Sequence, residues 1–136
     1  MSAKLDERQL RFVRKPRIAT LATVRRDGSP HITPVWYRYD ESGDFVVMAD
    51  DGSQKLRNIE RDPRVELCID DRERPPYHTV IVRGRAAVEA QPPSYEERLA
   101  LAARYLGDEA GRRYVDTMQR PDQRLIRIRP QRIVGW

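Results

Sequence analysis

Turn and stop signals fall so often along this chain that few elements between them can be long. Pro16, Asp27-Gly28, the Asp40–Asp44 stretch around Gly43, Gly52, Pro63, Pro75-Pro76, Pro92-Pro93, Gly107 and Pro121 divide it into short segments. Most of those segments carry strand patterns, and a doubly wound sheet would need helices between most strands. Short strands at hairpin spacing, one internal helix and a helical excursion before the last strand instead predict a small antiparallel barrel. The fold class is therefore mainly β with flanking helices. A length of 136 residues fits one domain over 1–136 with a single core.

In chain order, Asp6–Arg14 has Leu10 and Val13 at helical spacing and Asp6 as a cap, and Pro16 stops it. Arg17–Arg25 alternates apolar and small residues on both faces, which predicts a strand covered on both sides. Asp27-Gly28 turns it into a second strand, Pro30–Tyr39, where Pro34 interrupts pairing and marks an edge, a bulge or a ligand opening. Phe45–Ala49, Arg64–Asp71 and the long Tyr77–Ala90 are further strands, and mid-strand Gly84 predicts a bend or close backbone approach. Ser94 and Glu97 form a capping box for a helix with Tyr95, Leu99, Ala102 and Leu106 as its apolar stripe. Gly107 and Gly111 break that helix, with a second short one over Arg112–Met118. Gln123–Arg129 is the last main strand, with Ile126 and Ile128 inward, and Ile133–Trp136 closes the chain as a further short strand.

The internal helix carries the most chemistry. Ser53 or Gly52 caps it, Leu56 and Ile59 share its buried face, and Pro63 ends it near Asp62. Lys55 and Asn58 share another face. A lysine in the first turn opposes the helix dipole, which favours anions there. Beside unpaired N–H groups it makes sense if an anion such as a phosphate sits among them. The same pattern also suits a solvated connector helix.

Other chemistries lack their residues. His31 and His78 lie far apart and outside any spaced Cys/His/acid cluster, so no metal site is expected and each reads as a partly exposed strand histidine. There is no Gly-x-Ser-x-Gly elbow, no GxGxxG and no P-loop. Cys68, the sole cysteine, sits in the Val65-Leu67-Ile69 strand and reads as a small core residue of a cytoplasmic protein. No run reaches the roughly 20 apolar residues of a membrane span, and the first residues lack the apolar core of a signal peptide. The net charge of +5 favours anionic partners. No nucleic-acid recognition element accompanies it, so the expected partner is a small molecule rather than nucleic acid or membrane. No protein-borne acid or nucleophile stands out, which leaves the hard chemistry to a bound cofactor.

The succession Ile18-Ala19-Thr20-Leu21-Ala22-Thr23, Asp27-Gly28-Ser29-Pro30-His31, Pro34-Val35-Trp36-Tyr37, Ser53-Gln54-Lys55, Arg57-Asn58 and Asp62-Pro63 resembles the split-barrel flavin and deazaflavin family. That family includes the pyridoxamine 5'-phosphate oxidases and the coenzyme F-420-dependent reductases. The ending Leu125–Trp136 extends the likeness to the short deazaflavin branch, whereas residues 92–120 are its least diagnostic part. The ending offers no equivalent of the arginine and histidine motifs with which an oxidase proper holds its substrate phosphate.

The resemblance implies a split β-barrel and a homodimer with cofactor sites at the subunit interface. Lys55 and Asn58 would hold the cofactor phosphate with Arg57 nearby, and Ser53 and Gln54 would line the ribityl chain or phosphate. Thr33, Pro34, Val35 and Trp36, with Met48, Ala49 and Asp50, would face the tricyclic ring. Trp36 serves equally as a plain core aromatic. The implied cofactor is F-420, with FMN as the alternative, and a basic track of Lys55, Arg57 and Arg61, extended by Arg14, Lys15 and Arg17, would suit the longer anionic tail of the deazaflavin. The implied activity is hydride transfer from reduced F-420 to an unsaturated small molecule. Alternatives are FMN-dependent oxidoreduction on the same fold and cofactor binding without turnover.

Overall fold

A computed structural model describes residues 3–118 and 122–135. The elements run α1 (Glu7–Val13), β1 (Ala19–Val24), β2 (Pro30–Val35), β3 (Arg38–Tyr39), β4 (Phe45–Asp50), α2 (Gln54–Arg61), β5 (Arg64–Asp71), β6 (His78–Val88), α3 (Tyr95–Leu106), α4 (Asp108–Thr117) and β7 (Gln123–Val134). Local chemistry sets most boundaries. Asp6 and Gln9 form a reciprocal capping box on α1, and Ser94 and Glu97 form another on α3. Gly28 takes the left-handed φ of 88° that the β1–β2 turn requires.

All seven strands join one antiparallel sheet in the order β2-β1-β5-β6-β7-β4-β3. Its two edge strands, β2 and β3, are linked by Trp36 and Tyr37 alone. The three Cα–Cα steps from Val35 to Arg38 reach at most about 10 Å, so the sheet must curl until its edges almost meet. That forced near-closure is the split barrel: mainly β, with helices on its flanks. Pro34 lies on edge strand β2, where a missing N–H costs no interior ladder bond.

The barrel interior holds Leu21, Tyr37, Phe45, Val47, Leu67, Ile69, Val80, Val82, Ile126 and Ile128, all buried. Phe12 and Val13 of α1 and Leu56 and Ile59 of α2 add to that core. A Cβ on Gly84 would lie 2.5 Å from the carbonyl oxygen of Arg129, so β6 and β7 come together there only around glycine, next to an irregularity in their register.

Several sequence expectations need correction. β1 is covered on one face: Ala19, Leu21 and Thr23 are buried, while Thr20, Ala22 and Val24 on the other are partly exposed. Cys68 points away from the core that Val65, Leu67 and Ile69 enter, because successive strand residues face opposite sides. On α3 the buried residues are Leu101 and Ala102, whereas Tyr95 and Leu106 are exposed. Gly111 does not break a helix but lies inside α4, where a Cβ would come 2.8 Å from the Cα of Ala103; it lets α4 approach α3 closely. β7 continues to Val134 as one strand, since it keeps pairing with β6 across that irregularity. Trp136 lies outside the described residues.

Candidate functional site

The short link between the barrel edges is held from α3. The Arg104 guanidinium donates to the carbonyl oxygens of Tyr37 (2.8 Å), Arg14 (2.7 Å), Val13 (2.9 Å) and Lys15 (3.1 Å), and lies over the Tyr37 ring. Tyr37 is wholly buried and donates its hydroxyl to Val13 O at 2.7 Å. Burial pushes its pKa up to about 12. Beside it, Trp36 stacks on Tyr105 with ring centroids 4.9 Å apart and planes 8° from parallel, and the Tyr105 hydroxyl accepts from Tyr37 N. One aromatic face of Trp36 is therefore already covered by its own chain.

This arrangement borders a cavity of about 380 Å³, within the usual range for small-molecule sites. Pro34, Val35 and Trp36 from the end of β2, Met48 from β4 and Lys55 from α2 form one side. The helical pair adds Arg98, Leu101, Ala102, Tyr114, Val115 and Met118, and Gln123 at the start of β7 completes the lining. Met48 points outward from β4 because Val47 and Ala49 take the core face. The cavity is thus a gap between the outer sheet surface and α3–α4. Lys55 and Arg98 are its charged lining residues, and no carboxylate lines it among the described residues.

Five of the sequence-predicted residues, Pro34, Val35, Trp36, Met48 and Lys55, meet at this cavity. The others lie beside or behind it. Ala49 faces the core, and Asp50 ends β4 half-buried. Ser53 caps α2 by accepting from Leu56 N at 3.4 Å. Asn58 is wholly buried; its amide donates to Thr23 Oγ1 at 3.0 Å, and its oxygen accepts from Gln54 Nε2 at 2.7 Å. Arg57 donates to Gln54 Oε1 at 2.8 Å and to the carbonyl oxygen of Gly52. Thr23, Asn58, Gln54 and Arg57 so form one chain that fixes the start of α2. Lys55 has no acidic neighbour in that first turn, and the N–H groups of Gln54 and Lys55 have no acceptor within the helix.

Thr33 shares a strand face with His31 and Val35, and the Thr33 Oγ1 and His31 Nδ1 atoms are buried without a hydrogen-bond partner. Burial, then the positive charges of Arg25 and Lys55, hold the His31 pKa below its ordinary 6.5. Unsatisfied buried polar atoms cost free energy. These two, together with Lys55 and the helix start, suit a ligand carrying an anion and hydroxyl groups. That donor set fits the phosphate and polyol chain of a flavin-type cofactor. His31, read from sequence as a partly exposed strand residue, and Arg98 were both missed. The Thr33–Val35 alternation could have drawn His31 in, whereas no local signal marks Arg98.

Among the described residues no cluster of His, Cys, Asp or Glu is placed to hold a metal, and no helix is long and apolar enough to cross a membrane. The family described as Pyridoxamine 5'-phosphate oxidase matches residues 5–136. The chain is 30% identical over 136 residues to the 5a,11a-dehydrotetracycline/5a,11a-dehydrooxytetracycline reductase of Streptomyces rimosus, covering 96% of this chain and 81% of that one. It is 27% identical over 135 residues to the F420H(2)-dependent biliverdin reductase of Mycobacterium tuberculosis, covering 98% and 90%. A solved structure of a conserved hypothetical protein from Mycobacterium tuberculosis superposes with a TM-score of 0.82 at 29% identity, covering 97% of this chain and 84% of that one.

Proposed function

Because the chain belongs to the pyridoxamine 5'-phosphate oxidase family, we propose that it is an oxidoreductase that uses reduced F-420 to reduce a conjugated small molecule. The observation that carries this reading is the cavity itself: an acid-free pocket joining the Pro34–Trp36 edge to Lys55 at the start of α2. The two reductases to which the chain is similar over most of its length support it. When bound, reduced F-420 would supply a hydride to one carbon of the acceptor double bond, and a solvent proton would complete the other.

The chain's own residues bind and orient. Lys55, the free N–H groups of α2, Thr33 and His31 hold the phosphate and ribityl chain, and Gln54 and Asn58 keep the helix start rigid. Pro34, Val35, Trp36 and Met48 give the ring a flat apolar seat, and Leu101, Ala102 and Met118 exclude water from its other side. No acid lines the cavity among the described residues, which is why the proton is assigned to solvent.

A homodimer goes with this reading, as does a cytoplasmic setting. Exposed Ile18, Ile32 and Tyr77 supply apolar surface for a subunit interface, and the solution mass should be about twice 15.9 kDa. The test of function is anaerobic incubation with reduced F-420 and a panel of conjugated enones. Recovery of the oxidised coenzyme's visible absorbance with stoichiometric loss of the double bond supports the reading. Turnover with reduced FMN alone would replace the coenzyme, and no turnover with either would refute it.

A further inference from the structure

We propose that Arg98 is the specificity residue for the second molecule in the cavity and selects acceptors that carry a carboxylate. The acceptor role rests on the oxidoreductase reading above; the anion site does not. Arg98 sits in the first half of α3, on a different element from Lys55, and lines the same cavity. Its Nε is buried and has no hydrogen-bond partner. It forms no ion pair with any described residue, although the chain as a whole is rich in paired arginines such as Arg64, Arg83 and Arg127. Glu97 beside it in sequence is engaged by the α3 capping box.

Next to it on α3, Leu101 and Ala102 line the cavity and cannot hydrogen-bond a guanidinium. Elsewhere in the lining the polar groups besides Lys55 are the neutral ones of Trp36, Tyr114 and Gln123, with no carboxylate among the described residues. A partly desolvated cation without a counter-charge is costly, and a bidentate carboxylate is the anion its fork fits best. Lys55, at the helix start with Thr33 and His31 nearby, provides a separate place for a phosphate. The cavity therefore offers two cationic points from two elements, with apolar and aromatic surface and the neutral amide of Gln123 lining the rest. That pattern suits a planar, largely apolar molecule bearing one carboxylate, lying beside a phosphate-anchored cofactor.

The test compares anthracene-2-carboxylate with anthracene-2-carboxamide, matched in shape and differing in charge. Binding to the cofactor-free protein is followed by the probe's fluorescence anisotropy. Wild type should bind the carboxylate at least tenfold more tightly than the amide. Arg98→Gln should abolish that preference, Arg98→Lys should restore much of it, and Lys55→Met should leave it within twofold. F-420 affinity, titrated separately, should be unchanged in Arg98→Gln. Equal binding of both probes by wild type, or a preference that survives Arg98→Gln, overturns the assignment. So does a preference lost in Lys55→Met, or F-420 affinity lost in Arg98→Gln. If wild type fails to bind F-420 yet shows the Arg98-dependent preference, the coenzyme reading falls while the carboxylate site stands.

Discussion

Replacing Arg104 with methionine removes the fork that ties α3 to the barrel edge while keeping an unbranched apolar stem. Four carbonyl oxygens lose a charged donor: those of Val13, Arg14, Lys15 and Tyr37. Those of Arg14 and Lys15 are at exposed contacts and can turn to water, so they contribute little. Those of Val13 and Tyr37 are at half-buried ones, and a hydrogen bond to a charged group contributes about 1.5–3 kcal/mol net. Val13 O keeps the Tyr37 hydroxyl as a donor, which places its loss at the low end. Adding about 0.5–1 kcal/mol for the contact over the Tyr37 ring gives roughly 3.5–5.5 kcal/mol in total. Urea unfolding should show that loss as a lower midpoint at unchanged slope, and Arg104→Lys should recover only part of it, because an ammonium cannot serve several acceptors in one plane. A loss below about 1 kcal/mol, the range of an ordinary surface change, would refute the claim that Arg104 anchors the Trp36–Tyr37 link.

Three further outcomes follow from the same structure. Lys55→Ala should weaken F-420 binding by about 1.5–3 kcal/mol, the scale of one charge-assisted hydrogen bond, and NMR should show the His31 pKa moving back toward 6.5 as one of the cations lowering it is removed. Tyr37 should ionise only near pH 12. Because its folded pKa lies above the unfolded value near 10, its stabilising effect is complete below pH 10 and is lost between pH 10 and 12, by about 2–3 kcal/mol. Absorbance titration of wild type against Tyr37→Phe checks this, and a Tyr37 that ionises near its ordinary value of 10 contradicts it. Gly111→Ala would gain about 1 kcal/mol if helix propensity alone mattered. The contact with Ala103 backbone should reverse that sign and cost about 1–3 kcal/mol, and a raised melting temperature would show that α3 and α4 are not so closely packed.

What could be read from the sequence was local chemistry. The caps at Asp6, Ser53 and Ser94, the Asp27-Gly28 turn and the stop at Pro63 each act within a few residues, and each sets an element boundary in the structure. Pro34 narrowed its strand to an edge, a bulge or a ligand opening, because a missing N–H has few places to go, and β2 is an edge strand. Facing and burial were harder. Cys68 differs from Leu67 only by the phase of an alternation, and Asn58 looks like a surface amide until Thr23, 35 positions earlier, is brought against it. The Gly111–Ala103 contact and the Trp36–Tyr105 stack depend on how a helical pair settles on the sheet. The same holds for Arg98, which has no sequence neighbour that reveals its cavity. The β2–α2 half of the candidate site was thus legible, and its α3–α4 half was not.

The central claim is that Lys55 and the Pro34–Trp36 edge form a deazaflavin site. Fluorescence titration of the purified protein with F-420 and, separately, with FMN tests it directly, with Lys55→Ala run alongside. Tight binding of F-420, much weaker binding of FMN and a clear loss in Lys55→Ala are the predicted results. Binding of neither coenzyme, or F-420 affinity indifferent to Lys55, would contradict it.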